Sequence, residues 1–148
     1  MDFGLLILRL IVGGIFAAHG YPKLFGGPGK AVTPTAAQYL GPGFVQAMES
    51  GPQGLAGMLQ GMDVPEPALM ARVVGVAEFF GGILIALGWL TRLASFALIV
   101  DMVVAIARVH WRNGLVGQGG YEFPLSLLGA LLVFFFGGPG KLSFDAEP

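Results

Sequence analysis

The sequence has 148 residues, a length that suits one domain; 55% are apolar, only 11% are charged, and the formal net charge is −1. A soluble domain carries about 25% charged residues, so this composition excludes an ordinary water-facing surface, and the near-neutral charge gives no steering toward nucleic acid. With no cysteine and two histidines, the chain has no thiol or disulfide chemistry of its own, and no metal site is expected.

Four apolar stretches approach the roughly 20 residues needed to span a bilayer. The first covers about 3–20, the second 71–89, the third 92–111 and the fourth 120–137. The first and last are slightly short, which tilt or local thinning accommodates. The first does not read as a cleaved signal peptide, because Arg9 interrupts its apolar run and no basic side chain precedes it. None of the four has the polar face that a helix of a soluble bundle needs. Between the first two lies a Gly- and Pro-rich segment, 23–68, with short amphipathic pieces at Thr35–Leu40 and Gly54–Met62. These pieces read as helices lying on the membrane or partly capping the protein. The expected fold is therefore an all-α, four-transmembrane-helix bundle with a partly helical capping loop, multi-pass in the cell membrane.

Tyr21, Trp89, Trp111 and Tyr121 fall at the expected helix ends, where amphipathic rings favour the membrane interface. The positive-inside rule alone places both termini outside the cytoplasm, but bases with a functional role would bias that count, so orientation stays open.

Ionisable side chains within a membrane are costly and usually face the protein interior in pairs. Arg9, Glu78, Asp101 and Arg108 lie within these stretches, with His19, His110 and Glu122 near their ends. Each falls on a stripe of small residues: Arg9 with Gly13, Phe16 and Gly20; Glu78 with Gly75, Gly82 and Ala86; Asp101 with Ala94, Leu98, Ala105 and Arg108. At a rise of about 1.5 Å per residue, Glu78 and Asp101 reach similar depths near the midplane, with Arg9 within side-chain reach. The set serves either as a buried relay or as a structural lock pairing Arg9 with Glu78 or Asp101. A second cluster gathers near one surface: His19, Tyr21, Lys23, Arg108, His110, Tyr121 and Glu122. Proton donors and acceptors beside aromatic rings suit the polar head of a lipophilic molecule. The bland alternative is that the bases snorkel to the interface and the histidines merely end helices. The Phe134–Phe136 run reads as lipid-facing or packed.

Several motifs resemble one family. The opening LRLIVGGIFAAHGYPKLFG is similar to the start of DoxX-family membrane proteins, with Gly20 and Lys23 matching a G-x-x-K turn. The stretch ARVVGVAEFFGGILIALGWLTRLAS resembles the family's second signature, through Glu78, Gly81, Gly82, Gly88, Thr91 and Arg92. The closing G-P-G-K-x-S-x-D segment also fits. The resemblance implies a four-helix module. The family's namesake is linked to thiosulfate oxidation with quinone as acceptor, and other members resemble accessory proteins of redox systems.

Three readings follow. In the first, a redox-linked subunit binds a quinone-like or small lipophilic ligand; Glu78, Asp101 and His19 are the candidate catalytic groups, and Arg9, Lys23, Arg108, His110, Tyr121 and Glu122 the binding groups. In the second, a non-enzymatic scaffold docks a soluble or membrane redox partner through 23–68. In the third, a carrier moves a small solute or lipid, as a homo-oligomer if four helices make too narrow a path. Neither the residues nor the resemblance fixes whether the protein is an enzyme.

Overall fold

The computed structural model describes residues 1–146. Five α-helices form, and no strand occurs among the described residues: α1 (Asp2–Phe25), α2 (Pro34–Gly61), α3 (Pro67–Leu87), α4 (Thr91–Ala105) and α5 (Glu122–Gly137). Three stretches are long and apolar enough to cross a membrane: Asp2–Phe25, Pro67–Leu87 and Thr91–Asn113. The last of these includes α4 and two irregular turns that prolong it, a π-turn at Ile106–His110 and a 3-10 turn at Trp111–Asn113. α5 is equally apolar but only 16 residues long. The third expected span is thus present, but its last turns are not α-helical. A π-turn adds one residue per turn and re-aims the side chains that follow.

Each long helix buries one stripe and exposes the rest. On α1 the buried residues are Arg9, Val12, Gly13, Phe16, Gly20 and Pro22; on α3 they are Ala71, Gly75, Glu78, Gly81, Gly82 and Ile85. Leu10, Ile11, Val73, Val76, Phe80, Leu93, Phe96, Val103 and Val104 are among the many large apolar side chains left exposed. In water that surface would drive aggregation. Against lipid tails it is the matching solvent, and the four-fold periodicity of the buried stripes marks the faces that pack on protein.

The chain divides into two compact units. One consists of residues 1–14 and the chain from Gly81 onward. There α1 meets α3 almost backbone to backbone: a Cβ on Gly13 would collide with the Gly82 carbonyl oxygen and, at 2.7 Å, with the Ala86 nitrogen. Gly81 receives the side chain of Leu98 from α4. α4 packs along α5, burying Ala94, Leu98 and Met102 on one helix and Leu127, Leu131 and Phe134 on the other.

α3 stops in a Schellman turn. Gly88, at φ 67°, donates to the Ile85 carbonyl, and Trp89 donates to that of Leu84. The segment after α5 then returns to this turn. Asp145 N–H donates to the Gly88 carbonyl at 2.8 Å, and Lys141 N–H donates to the Asp2 carboxylate at 3.0 Å.

The other unit is Ile15–Phe80. Here Gly20 abuts the backbone of Glu78 and Phe79, so the first half of α3 approaches α1 as closely as small residues allow. The expected capping segment is almost wholly helical. Thr33 caps α2 by accepting from Ala36 N–H, with Pro34 in the first turn. Gly41–Pro42 and Gly51–Pro52 then break α2 into three pieces, since both glycines leave helical geometry. The middle piece was not expected from sequence. It is anchored where Gly27 N–H donates to the Met48 carbonyl at 2.7 Å and Gly51 crosses Gly26, a contact with no room for a Cβ.

Gly13 and Gly14 offer a matched test of this packing. Gly13→Val should lower stability by about 1–3 kcal/mol through overpacking. Gly14→Ala should be neutral or slightly stabilising, because its Cβ would meet nothing within 4 Å. Thermal melts in one detergent compare the two directly.

Candidate functional site

Two polar groupings are built into the apolar chain, one in each unit. In Ile15–Phe80, the Lys23 ammonium donates to Glu78 Oε2, and the Glu78 side chain is only 6% exposed. Glu78 reaches Lys23 because Gly20 lets α3 pass close to α1 one turn earlier, and Gly75 leaves room for the Lys23 and Leu24 side chains. His19 stands one turn before Lys23, exposed on α1, and shares the electrostatic field of the pair.

An aromatic cluster stands in the same unit. The Tyr21 ring lies 4.9 Å from Phe25, 5.8 Å from Phe79 and 6.4 Å from Phe44, and Phe25 meets Phe79 edge-on at 5.4 Å. The Tyr21–Phe44 pair is stacked and the others are tilted or edge-on, arrangements that the ring quadrupoles favour. Beside the cluster opens a cleft of about 630 Å³, lined by Tyr21, Leu24, Phe25, Gly26, Gly29, Lys30, Ala31 and Met48. That volume falls within the roughly 300–1,000 Å³ of small-molecule sites. Tyr21, Leu24, Phe25, Ala31 and Met48 supply the apolar side chains of the cleft, but its exposed lining is more polar than apolar, with Lys30 and the Tyr21 hydroxyl among the polar groups.

The second grouping lies in the other unit. Arg9 is wholly buried and donates through Nη2 to the Leu142 carbonyl. The guanidinium lies where a Cβ on Gly88 would stand, so only glycine at 88 leaves it space. Asp145 carries the compensating charge for Arg9 and also caps α4, accepting from Leu90 N–H at 2.9 Å and Thr91 N–H at 2.7 Å. α4 has no cap of its own: Leu90 precedes it in left-handed geometry and offers no side-chain acceptor. Burial raises the Asp145 carboxyl, but hydrogen bonds from Thr91 and Leu90 and the positive field of Arg9 outweigh it, holding the group below its ordinary 3.8.

The expected pairing of Arg9 with Glu78 or Asp101 thus takes another form. Glu78 pairs with Lys23, and Arg9 is held by the segment after α5. Lys23 appeared in the sequence only as a surface base, and its pairing depends on the close helix crossing at Gly20. Asp101 lies half-buried next to Met102 on the packed stripe of α4. Arg108 and His110 fall on the π-turn, with Arg108 exposed and His110 Nδ1 at 2.8 Å from the Gly119 carbonyl. Tyr121 stacks on Trp111 with centroids 5.2 Å apart, and Glu122 opens α5 with its side chain exposed. Of the surface cluster, the structure therefore groups His19, Tyr21 and Lys23 in one unit, while Arg108, His110, Tyr121 and Glu122 belong to the other. Asp145, which matters most in its unit, was legible only as the last residue of a motif.

The DoxX family model matches residues 4–111. Among curated relatives, the inner membrane protein YphA of Escherichia coli is 31% identical over 97% of this chain and 94% of its own. An uncharacterized membrane protein of Mycobacterium tuberculosis is 28% identical over 95% of this chain and 78% of its own. CatD of Bacillus subtilis, named as a candidate oxidoreductase, is 25% identical over 85% and 74%. No solved structure matches the chain. Three membrane-length apolar helices and relatives of this kind make it a multi-pass membrane protein.

Removing one member of the buried ion pair leaves the other uncompensated, so Lys23→Met should cost about 3–5 kcal/mol. Lys23→Met combined with Glu78→Leu should recover most of that loss, as read by thermal melts of the purified protein. Asp145→Ala should destabilise by about 0.5–2 kcal/mol through the lost cap. Because the folded-state pKa of Asp145 is depressed, its contribution is full at neutral pH and is lost as pH falls through the folded value, below 3.8. The gap in melting temperature between wild type and Asp145→Ala should therefore hold from pH 7 to about 5 and close in stronger acid.

Proposed function

Since this chain belongs to the DoxX family, we propose that it is a membrane subunit of a redox system that takes a quinone-like or other small lipophilic ligand into the cleft beside Tyr21, Phe25 and Lys30. The observation that carries this reading is the cleft itself: an aromatic wall, one basic side chain and a buried ion pair within the same unit. The flat ring of a quinone stacks on aromatic faces, and its carbonyl oxygens accept hydrogen bonds from an ammonium or a phenol. Reduction of a quinone to a quinol consumes two electrons and two protons. The electrons come from a partner redox enzyme, and His19 and the Lys23–Glu78 pair are titratable groups of the same unit. The name carried by CatD supports an oxidoreductase setting.

In this reading α5 is the fourth span of a four-helix bundle. Its 16 residues rise about 24 Å, a shortfall that local thinning of the bilayer accommodates. A second reading, a scaffold docking a partner through α2, draws on the exposure of Tyr39, Leu40 and Met58 along that segment. Pull-down of a redox partner that depends on α2 and not on Tyr21 or Lys30 would favour it.

The direct test is binding of a short-chain ubiquinone or menaquinone analogue to the protein in nanodiscs. Tyr21→Ala and Lys30→Ala should each weaken binding by about tenfold, the size of one good polar or stacking contact. Absence of saturable binding to the wild type would overturn the reading.

A further inference from the structure

In the unit that holds Arg9, a second cleft of about 770 Å³ is lined by Asp2, Leu90, Thr91, Arg92, Leu93, Gly137, Gly138, Pro139, Gly140, Lys141, Asp145 and Ala146. Its charges are two acids and two bases, but they are not equivalent. Both carboxylates are engaged by backbone: Asp2 by Lys141 N–H, and Asp145 by Leu90 and Thr91 N–H. The Arg92 and Lys141 side chains are exposed and form no ion pair among the described residues. Two unpaired cations thus line the cleft, while each carboxylate is held back against backbone N–H groups.

The surroundings are those of a membrane surface. The cleft gathers the start of α1, the turn between α3 and α4, and the end of α5, all helix termini. Trp89, Leu90 and Leu93 are exposed beside it, an aromatic ring and two aliphatic chains of the kind that favour a membrane interface. The Gly138–Pro139–Gly140 loop brings backbone close to the bases: a Cβ on Gly138 would lie 4.0 Å from Arg92 Nη2. Arginine presents a planar fork suited to phosphate oxygens, and lysine adds a point charge.

We propose that this cleft binds a phosphate-bearing anion, and that its source is the headgroup of an anionic phospholipid whose chains lie against Leu90 and Leu93. Arg92 grips the phosphate and Lys141 closes over it, while Asp145 holds the turn that presents Arg92. The site is independent of the quinone reading, because its residues and the Tyr21 cleft belong to different units.

Native mass spectrometry of the whole protein tests it, after exchange into mixtures of phosphatidylglycerol and phosphatidylcholine. Wild type should retain phosphatidylglycerol preferentially, and Arg92→Gln/Lys141→Gln should lower that retention by about tenfold or more, two surface bases acting together. Arg112→Gln, at an exposed base that lines neither cleft, should leave retention unchanged. Thermal melts with inorganic phosphate separate the two sources: stabilisation by phosphatidylglycerol but not by phosphate supports a lipid, and equal stabilisation by phosphate overturns the lipid assignment. Equal phosphatidylglycerol retention by wild type and the double variant, with both folded by circular dichroism, overturns the site.

Discussion

A buried charge in an apolar chain must find its partner inside the protein, because hydrocarbon supplies none. Arg9 and Glu78 impose this constraint, and much of the architecture meets it. Glu78 is satisfied by Lys23, three residues after the crossing at Gly20. Arg9 gives one hydrogen bond, from Nη2 to the Leu142 carbonyl, and meets the field of Asp145, both in the segment that follows α5, while its Nε and Nη1 have no hydrogen-bond partner among the described residues. Neither solution is available to a helix alone. Each requires a second element brought within a few ångströms, and the glycines at 13, 20, 75 and 88 are what permit that approach. Small residues and charges therefore form one device: the former set the distance at which the latter are stabilised.

The same device accounts for what each unit offers chemically. Packing at Gly20 and Gly75 places an ion pair within the unit that carries the Tyr21 aromatic cluster and its cleft. Packing at Gly88 seats a guanidinium and leaves the turn after α3 open to a distant carboxylate. Asp145 then does two things with one group, since the anion that balances Arg9 also sits at the positive end of α4. The consequence is that α4 begins at a residue with no local capping signal.

Much of this was legible in the sequence, and the exceptions have physical causes. The membrane-length stretches follow from composition, and the buried stripe Arg9–Gly13–Phe16–Gly20 follows from helical spacing alone. The breaks in α2 at Gly41–Pro42 and Gly51–Pro52 follow from the dihedral limits of proline and glycine. The partners of the charges did not follow, because depth arithmetic along straight helices treats side chains of similar level as equivalent. It cannot weigh a backbone carbonyl such as that of Leu142, nor a carboxylate 54 residues after the first residue of the helix it caps. The π-turn at Ile106–His110 was likewise hidden: an apolar run ending in polar residues reads as one helix, and the extra residue has no composition of its own. The surface cluster of titratable groups was assembled by level, and its members belong to both units.

The tie between Arg9 and Leu142 joins residues separated by 133 positions. During synthesis the arginine enters the membrane first and its acceptor emerges 133 residues later. At roughly 5–20 residues per second, the wait is on the order of ten seconds. Throughout that interval α1 must be tolerated in the bilayer, or in the insertion machinery, with its guanidinium still seeking water at the nearer surface. The order of emergence thus makes the arrival of Leu142 the event that commits the first helix to full burial.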